Sequence, residues 1–185
     1  NGNLLATSSK VYNVILDCKA INSDQDYLEP TVKALLKFFD ADEEKIQKLL
    51  TDDKTKNSQY QILLKEVTVD EKKAFDEYTT VGENSKLSDE EKKERENVQG
   101  VWFEETYLRS YPFESLACDT IGFTFDAETA DWGLEGYYNS TLNGTDGRQY
   151  GYFNDSADVE QTIIEPTNGK SIVTTLDVGA QSIVE

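Results

Sequence analysis

The middle of the chain, residues 40–96, is densely charged and carries repeated helix-start signals. Its 17 acidic and 11 basic residues alternate along the sequence, a pattern typical of short helices with one face in water. Two capping-box signatures, Thr68 with Glu71 and Ser88 with Glu91, mark the first turns of two such helices. The middle therefore predicts a set of short, water-facing helices rather than one long helix or a sheet.

Segments rich in β-branched and aromatic residues flank this middle. "KVYNVILD" near the beginning and "VWFEETYLRSYP" from residue 101 predict strands, and "YQILLKEV" from residue 60 predicts a single strand among the helices. Near the end, "RQYGYFN" predicts another strand. Asn168-Gly169 lies between two strand-like runs and predicts a hairpin turn.

The simplest topology pairs the first strand with the terminal hairpin. The predicted fold class is therefore α+β: an elongated, β-rich stem with an inserted helical head lobe. We expect residues 1–25 and 101–185 to form the stem and residues 26–100 to form the head. Both parts are expected to belong to one module, because no low-complexity linker separates them.

Helix boundaries follow from local signals. Pro30 suits the first turn of a helix in "EPTVKALLKFFD", and Asp40 with Glu43 can cap the next helix. Gly122 is expected to end a short helix in "ESLACDTIG", and Gly144 to cap the C-terminus of a helix in "WGLEGYYNSTLNG".

Composition excludes several functions. The formal net charge is −18, which argues against binding nucleic acid or anionic lipid because both need a basic surface. Histidine is absent, so the usual general base and the commonest metal ligand are missing, and no calcium-loop pattern occurs. We therefore expect no cofactor and no metal. Cys18 and Cys118 lack metal-ligand spacing and are read as small apolar residues, although a disulfide between them stays open.

Arg109 is one of three arginines in the chain and lies among aromatic residues. Arginine is preferred over lysine where a planar group meets a carboxylate or stacks on a ring. Glu135, in a glycine-rich and aromatic segment, is the favoured partner. We expect this ion pair to be buried and to fix the angle between stem and head.

Four segments, in this order, carry a family resemblance: "NGNLLATSSKVYNVILD", "GVWFEETYLRSYPFESLACDTIGF", "GLEGYYNSTLNGTDGR" and "EPTNGKSIVTTLDVGAQSIVE". Together they resemble the N-terminal, non-catalytic dimerisation or pedestal module of class B penicillin-binding proteins, with a looser match over residues 40–100. In that family an Arg-Gly-x-x-x-Asp-Arg-Asn-Gly stretch follows a single membrane anchor. Here only Asn1-Gly2 remains of that stretch, so we expect the chain to be cut from a longer, anchored protein.

The resemblance also implies which residues form the structural and interaction motif. One group comes from the "RSYPFESLACDTIG" segment and the other from the "GLEGYYNSTLNGTDG" segment: Arg109, Tyr111, Pro112 and Gly122; Gly133, Glu135, Gly144 and Gly147. No catalytic residue is expected, because no Ser-x-x-Lys, Ser-x-Asn or Lys-Thr-Gly motif of the transpeptidase domain occurs in the sequence.

The resemblance implies a pedestal that holds a transpeptidase domain at the outer face of the bacterial cytoplasmic membrane. Its expected partners are that domain, a membrane-embedded glycosyltransferase and other division or elongation proteins, with a homodimer left open. Residues 40–100 are expected to face a partner. The alternative is a free-standing extracellular domain that binds cell-wall glycan or peptide through aromatic residues of "WGLEGYYN" and "GRQYGYFN".

Overall fold

A computed structural model describes residues 2–82, 87–125, 129–153 and 159–185. The chain divides into two compact units. The first, called here the helical unit, comprises residues 8–108. The second, called the terminal unit, comprises residues 1–7 and 109–185.

A three-stranded sheet lies at the centre of the helical unit. Its strands are β1 (Thr7–Leu16), β2 (Gln61–Thr68) and β3 (Val101–Ser110), in the order β2-β1-β3. β1 pairs antiparallel with β2, from Val11 opposite Thr68 to Leu16 opposite Gln61, with two register irregularities. The strands that were expected at residues 60–67 and from residue 101 are confirmed.

Five helices accompany this sheet in the described part of the helical unit: α1 (Cys18–Ile21), α2 (Gln25–Phe38), α3 (Glu43–Thr51), α4 (Val69–Thr79) and α5 (Asp89–Glu96). Both predicted capping boxes are present, at the starts of α4 and α5. Each hydroxyl side chain accepts the N–H of the glutamate three residues on, and the glutamate accepts the N–H of the capping residue.

Two predicted helix boundaries are wrong. α2 begins at Gln25 with Asp24 as its cap, so Pro30 lies inside the helix rather than in its first turn. α3 is capped by Asp42, whose side chain accepts the N–H of Glu44, and not by Asp40. In both places an aspartate other than the predicted residue caps the helix, because its side chain accepts an N–H of the first turn.

The apolar core of the helical unit lies between the helices and one face of the sheet. Its buried members come from both strands and helices and include Val14 and Leu16 of β1, Leu63 of β2, Leu35 of α2 and Ile46 of α3. Three phenylalanine rings of this core pack against one another. The ring centroids of Phe39, Phe75 and Phe103 lie 5.3 to 6.0 Å from one another.

The terminal unit contains short elements: α6 (Cys118–Ile121), α7 (Gly133–Tyr137), α8 (Asn139–Leu142), β4 (Arg148–Phe153), β5 (Val159–Ile164) and α9 (Val178–Val184). β4 and β5 form an antiparallel pair, from Arg148 opposite Ile164 to Phe153 opposite Val159. The short helix ending at Gly122 and the strand in "RQYGYFN" are confirmed.

The mixed α+β class is confirmed, but the predicted strand pairing is wrong. β1 pairs within the helical unit, and the sheet of β4 and β5 is separate from it. The units also divide at residues 8 and 109 rather than at residues 25 and 101. The physical reason is that β1 has buried apolar residues which pack with the helices, so its strand partners come from the same core.

The hairpin predicted at Asn168-Gly169 is also wrong. The segment after β5 forms only an isolated bridge between Thr145 and Thr167. A Cβ on Gly169 would lie 1.7 Å from the carbonyl oxygen of Leu142. This glycine is therefore used for a close backbone approach, not for a two-residue turn.

Cys18 is buried in the helical unit and Cys118 is exposed in the terminal unit, and both are free thiols. The small buried apolar role is thus confirmed for Cys18 and wrong for Cys118. Burial, followed by the charge of Asp17, raises the pKa of the Cys18 thiol above its ordinary value. Among the described helices, none has both the length and the apolar character needed to cross a membrane.

Candidate functional site

The predicted ion pair between Arg109 and Glu135 is present inside the terminal unit. Nη2 of Arg109 lies 2.7 Å and Nε lies 3.1 Å from Oε1 of Glu135. The side chains are 17% and 5% exposed, respectively. Both residues belong to the same unit, so the pair braces that unit internally, and the expectation that it sets an angle between two lobes receives no support.

Two glycines place Glu135 within reach of Arg109. Gly122 and Gly133 both have positive φ, at 78° and 67°, a region that residues with a side chain rarely adopt. A Cβ on Gly122 would lie 2.1 Å from the carbonyl oxygen of Trp132, and one on Gly133 would lie 2.6 Å from the nitrogen of Gly122. The end of α6 and the start of α7 are therefore in direct backbone contact, and Glu135 follows on the first turn of α7.

Tyr111 and Pro112 shape the exit from β3. Pro112 is the second residue of a turn in which the N–H of Glu114 donates to the carbonyl of Tyr111 at 2.9 Å. The fixed φ of proline suits that position. The hydroxyl of Tyr111 accepts the N–H of Thr124 at 3.0 Å, so this ring ties the end of β3 to the chain just after Gly122.

Gly144 and Gly147 serve a second backbone contact and not a helix cap. α8 ends at Leu142 with Asn143 as its cap residue, so the predicted capping role of Gly144 is wrong. A Cβ on Gly144 would lie 2.3 Å from the oxygen of Thr167, and one on Gly147 would lie 2.7 Å from the oxygen of Ile164. Both glycines permit close approach of the segment that follows β5.

Sequence reasoning missed one contact of the terminal unit. The N–H of Ala117 donates to the side-chain carboxylate of Glu185, at 2.9 Å to Oε1 and 3.2 Å to Oε2. Ala117 is buried and has a φ of 54°, which is unusual for a residue with a Cβ. No local signal connects two residues 68 positions apart, so only the tertiary structure reveals this contact.

The site is structural in its chemistry. Its residues hold backbone segments together through an ion pair, a tyrosine hydroxyl and close glycine contacts. In the part of the chain that the structure describes, no group of three or more histidine, cysteine, aspartate or glutamate side chains is arranged to hold a metal ion. Four aromatic residues of the two glycine-rich segments are exposed at the surface: Trp132, Tyr137, Tyr138 and Tyr150.

In this small α+β module, a buried arginine–glutamate ion pair and closely packed glycines hold the backbone segments of the terminal unit together. Residues 1–174 match the family described as the penicillin-binding protein dimerisation domain. The chain belongs to this family, the non-catalytic N-terminal module of class B penicillin-binding proteins.

Similar proteins agree with this assignment. Stage V sporulation protein D of Bacillus subtilis is 30% identical over 109 residues, which cover 56% of this chain and 17% of that protein. The chain thus spans less than a fifth of the length of this relative.

Solved structures share the fold at lower identity. Penicillin-binding protein 2X from Streptococcus thermophilus superposes with a TM-score of 0.66 at 20% identity, covering all of this chain and 28% of that one. A peptidoglycan synthetase from Bifidobacterium adolescentis gives 0.56 at 19% identity, covering 99% and 34%. A complex between penicillin-binding protein PBP2 and MreC from Helicobacter pylori gives 0.52 at 18%, covering 90% and 31%.

Proposed function

We propose that this module is a pedestal: it positions a transpeptidase domain of the same polypeptide outside the cytoplasmic membrane. The observation that carries the proposal is the family match over residues 1–174. The match identifies a non-catalytic domain, and the solved relatives that share the fold are about three times as long as this chain. In this proposal a membrane anchor precedes the module and the catalytic serine follows it.

The terminal unit is the rigid part of the pedestal. Arg109 is the first residue of this unit after the helical unit, and its guanidinium is held by a carboxylate that is 5% exposed. A buried ion pair adds little net stability but resists rearrangement, because separating the charges leaves one of them desolvated and unpaired. Such a brace would keep the geometry of the unit constant under load from the cell wall.

The helical unit is the partner-facing part. The fold match to PBP2 in a complex with MreC supports this part of the proposal, because that relative contacts a partner protein. The helical unit offers exposed apolar side chains between its charged residues, including Leu36 and Val69. We propose that residues 40–100 contact a protein of the division or elongation machinery, which includes a membrane-embedded glycosyltransferase.

One experiment separates positioning from catalysis. In the longer protein that carries this module, Arg109→Lys should leave acylation by a fluorescent β-lactam unchanged, because that reaction depends only on the catalytic serine site. Cross-linking of peptidoglycan in membranes should fall, because it also depends on the position of the domain. As a control, the chain of residues 1–185 by itself should form no β-lactam adduct.

Two results would contradict the pedestal role. One is a loss of β-lactam acylation equal to the loss of cross-linking, which would mean that the substitution only destabilises the protein. The other is undiminished cross-linking in Arg109→Ala, in which the buried carboxylate of Glu135 has lost its partner and unfolding measurements show that the terminal unit is loosened. Photo-crosslinkers at Val69 and at Tyr150 then compare residues 40–100 with the terminal unit, and the partner should be captured from Val69.

A further inference from the structure

The sheet of the helical unit has a second face with its own set of side chains. Val14, Leu16 and Phe103 point into the apolar core. Because side chains alternate along β3, Glu104 lies on the face opposite Phe103. Asn13 lies at an irregular position of β1 and contacts Glu104, with Nδ2 3.4 Å from Oε2.

Two aromatic residues complete the group on this second face. The hydroxyl of Tyr60 donates to the same oxygen of Glu104 at 3.0 Å, and the rings of Tyr60 and Trp102 meet at 5.7 Å with an angle of 60°. Trp102 is 41% and Tyr60 is 45% exposed. We call Asn13, Tyr60, Trp102 and Glu104 the sheet-face cluster.

The cluster is held in place before any ligand arrives. Asn13, Trp102 and Glu104 lie within regular strands, and Tyr60 immediately precedes β2. Two neutral donors fix the carboxylate of Glu104, and the hydrogen bond to Glu104 raises the pKa of Tyr60 above its ordinary value, so the phenol keeps its proton. Groups fixed on strands lose little conformational entropy when they bind a ligand.

We infer that the sheet-face cluster binds a pyranose unit of a neutral glycan. The apolar C–H face of a pyranose ring packs against an aromatic ring such as that of Trp102, and its hydroxyl groups pair with carboxylate and amide groups beside that ring. The carbonyl oxygen of Asn13 can accept from a sugar hydroxyl while its NH2 group donates to Glu104. This binding site is independent of the pedestal role, which would stand without it.

Charge favours a neutral sugar over other ligands. With a net charge of −18, the chain repels anionic polymers, including phosphate-bearing glycans. A basic peptide would be attracted by Glu104, but one oxygen of that carboxylate already accepts two hydrogen bonds from neutral donors. A neutral ligand avoids both the repulsion and the need to compete for this oxygen.

The test uses the two tryptophans, one in each unit. In a Trp132→Phe variant of the whole chain, the fluorescence of Trp102 is titrated with a tetramer of β-1,4-linked N-acetylglucosamine. We expect a saturable change that is nearly the same in 50 and in 500 mM NaCl, because the ligand is uncharged. Ligand-observed NMR then measures binding of the tetramer by variants that lack Trp102 and therefore cannot be followed by fluorescence.

Matched variants locate the site. Trp102→Ala and Glu104→Gln should each weaken binding by about tenfold or more, a change of about 1.4 kcal/mol. Trp132→Ala removes an exposed tryptophan of the other unit and should have no effect. Circular dichroism and melting curves establish that each variant is folded.

Three outcomes overturn the inference. These are the absence of saturable binding, equal weakening by Trp102→Ala and Trp132→Ala, and a preference of the same residues for an oligolysine peptide whose binding disappears in high salt. The last result would assign the cluster to a basic protein partner instead.

Discussion

In the helical unit the buried side chains are mostly large and apolar, whereas in the described part of the terminal unit they are few and include two alanines and a charged glutamate. Among the described residues, the core of the helical unit contains Leu35, Ile46 and Leu63, each at most 1% exposed. In the described part of the terminal unit, the buried residues that carry a side chain are Ala117, Ile121, Ala130 and Glu135.

The difference shows two ways of stabilising a small fold. Burying apolar surface stabilises by about 25 cal/mol per Å² and tolerates modest changes of shape. The terminal unit instead depends on backbone segments in contact at glycines and on one ion pair. Such contacts tolerate almost no added volume, so we expect this unit to be the more sensitive of the two to single-atom additions.

The largest expected effect is that of Gly122→Ala. The added Cβ would lie 2.1 Å from the carbonyl oxygen of Trp132 at a φ of 78°, so the backbone must move. We expect a loss of about 4 kcal/mol or more in the free energy of unfolding of the terminal unit. Urea unfolding followed through Trp132, in a Trp102→Phe background, measures it.

The matched control is Gly151→Ala in the same unit. A Cβ there meets no atom within 4 Å, and its stability should change by less than about 0.5 kcal/mol. Equal effects of the two substitutions would show that close backbone contact is not what stabilises the terminal unit.

Leu35→Ala tests the helical unit in the same way. Leu35 is fully buried in the core, and its truncation should cost about 3–4 kcal/mol through lost burial and the cavity left behind. Its neighbour Leu36 is 38% exposed and provides the control, with an expected cost below about 1 kcal/mol. Trp102 fluorescence in a Trp132→Phe background should report the change, and a similar loss from both substitutions would contradict the assigned core.

Arg109→Ala tests the ion pair. The carboxylate of Glu135 would remain 5% exposed without its guanidinium, and we expect a loss of about 3 kcal/mol in the stability of the terminal unit. Removing both charges in Arg109→Met/Glu135→Leu should recover most of it, because no buried charge is then unpaired.

The exposed pair of Lys33 and Glu29 provides a comparison, since Lys33→Ala should cost far less stability than Arg109→Ala. If the double variant is less stable than Arg109→Ala alone, the explanation from desolvation is wrong.

The smallest effect is expected at the helix caps. Thr68→Ala should cost about 1 kcal/mol at pH 7. The hydrogen bonds from the side chain and then the backbone of Thr68 lower the pKa of Glu71, so this carboxylate contributes stability above its ordinary pKa of about 4.3.

That contribution is lost as the pH falls through the lowered pKa of the folded state. The difference in Tm between wild type and Thr68→Ala should therefore shrink below about pH 4. A difference that stays constant down to pH 2 would show that Glu71 takes no part in the cap.

Local signals predicted the features that depend on neighbouring residues. The capping boxes at Thr68 and Ser88 were found as predicted, because the partners of each are three residues apart. The pairing of Arg109 with Glu135 was also predicted, because arginine suits a buried carboxylate and Glu135 lies among apolar and aromatic residues in the sequence. By contrast, Asn168-Gly169 carried a strong turn signal, and the close approach of Gly169 to Leu142 overrode it.

The amino-acid sequence by itself indicated the α+β class, the family and the positions of most helices and strands, because helix caps, hydrophobic patterning and family motifs can be recognised along the chain. Only the tertiary structure decided that β1 joins β2 and β3, that Glu185 binds the amide of Ala117, and which glycines meet a distant backbone. Each of these pairs residues far apart in the chain, and their choice depends on which packing buries the apolar surface best.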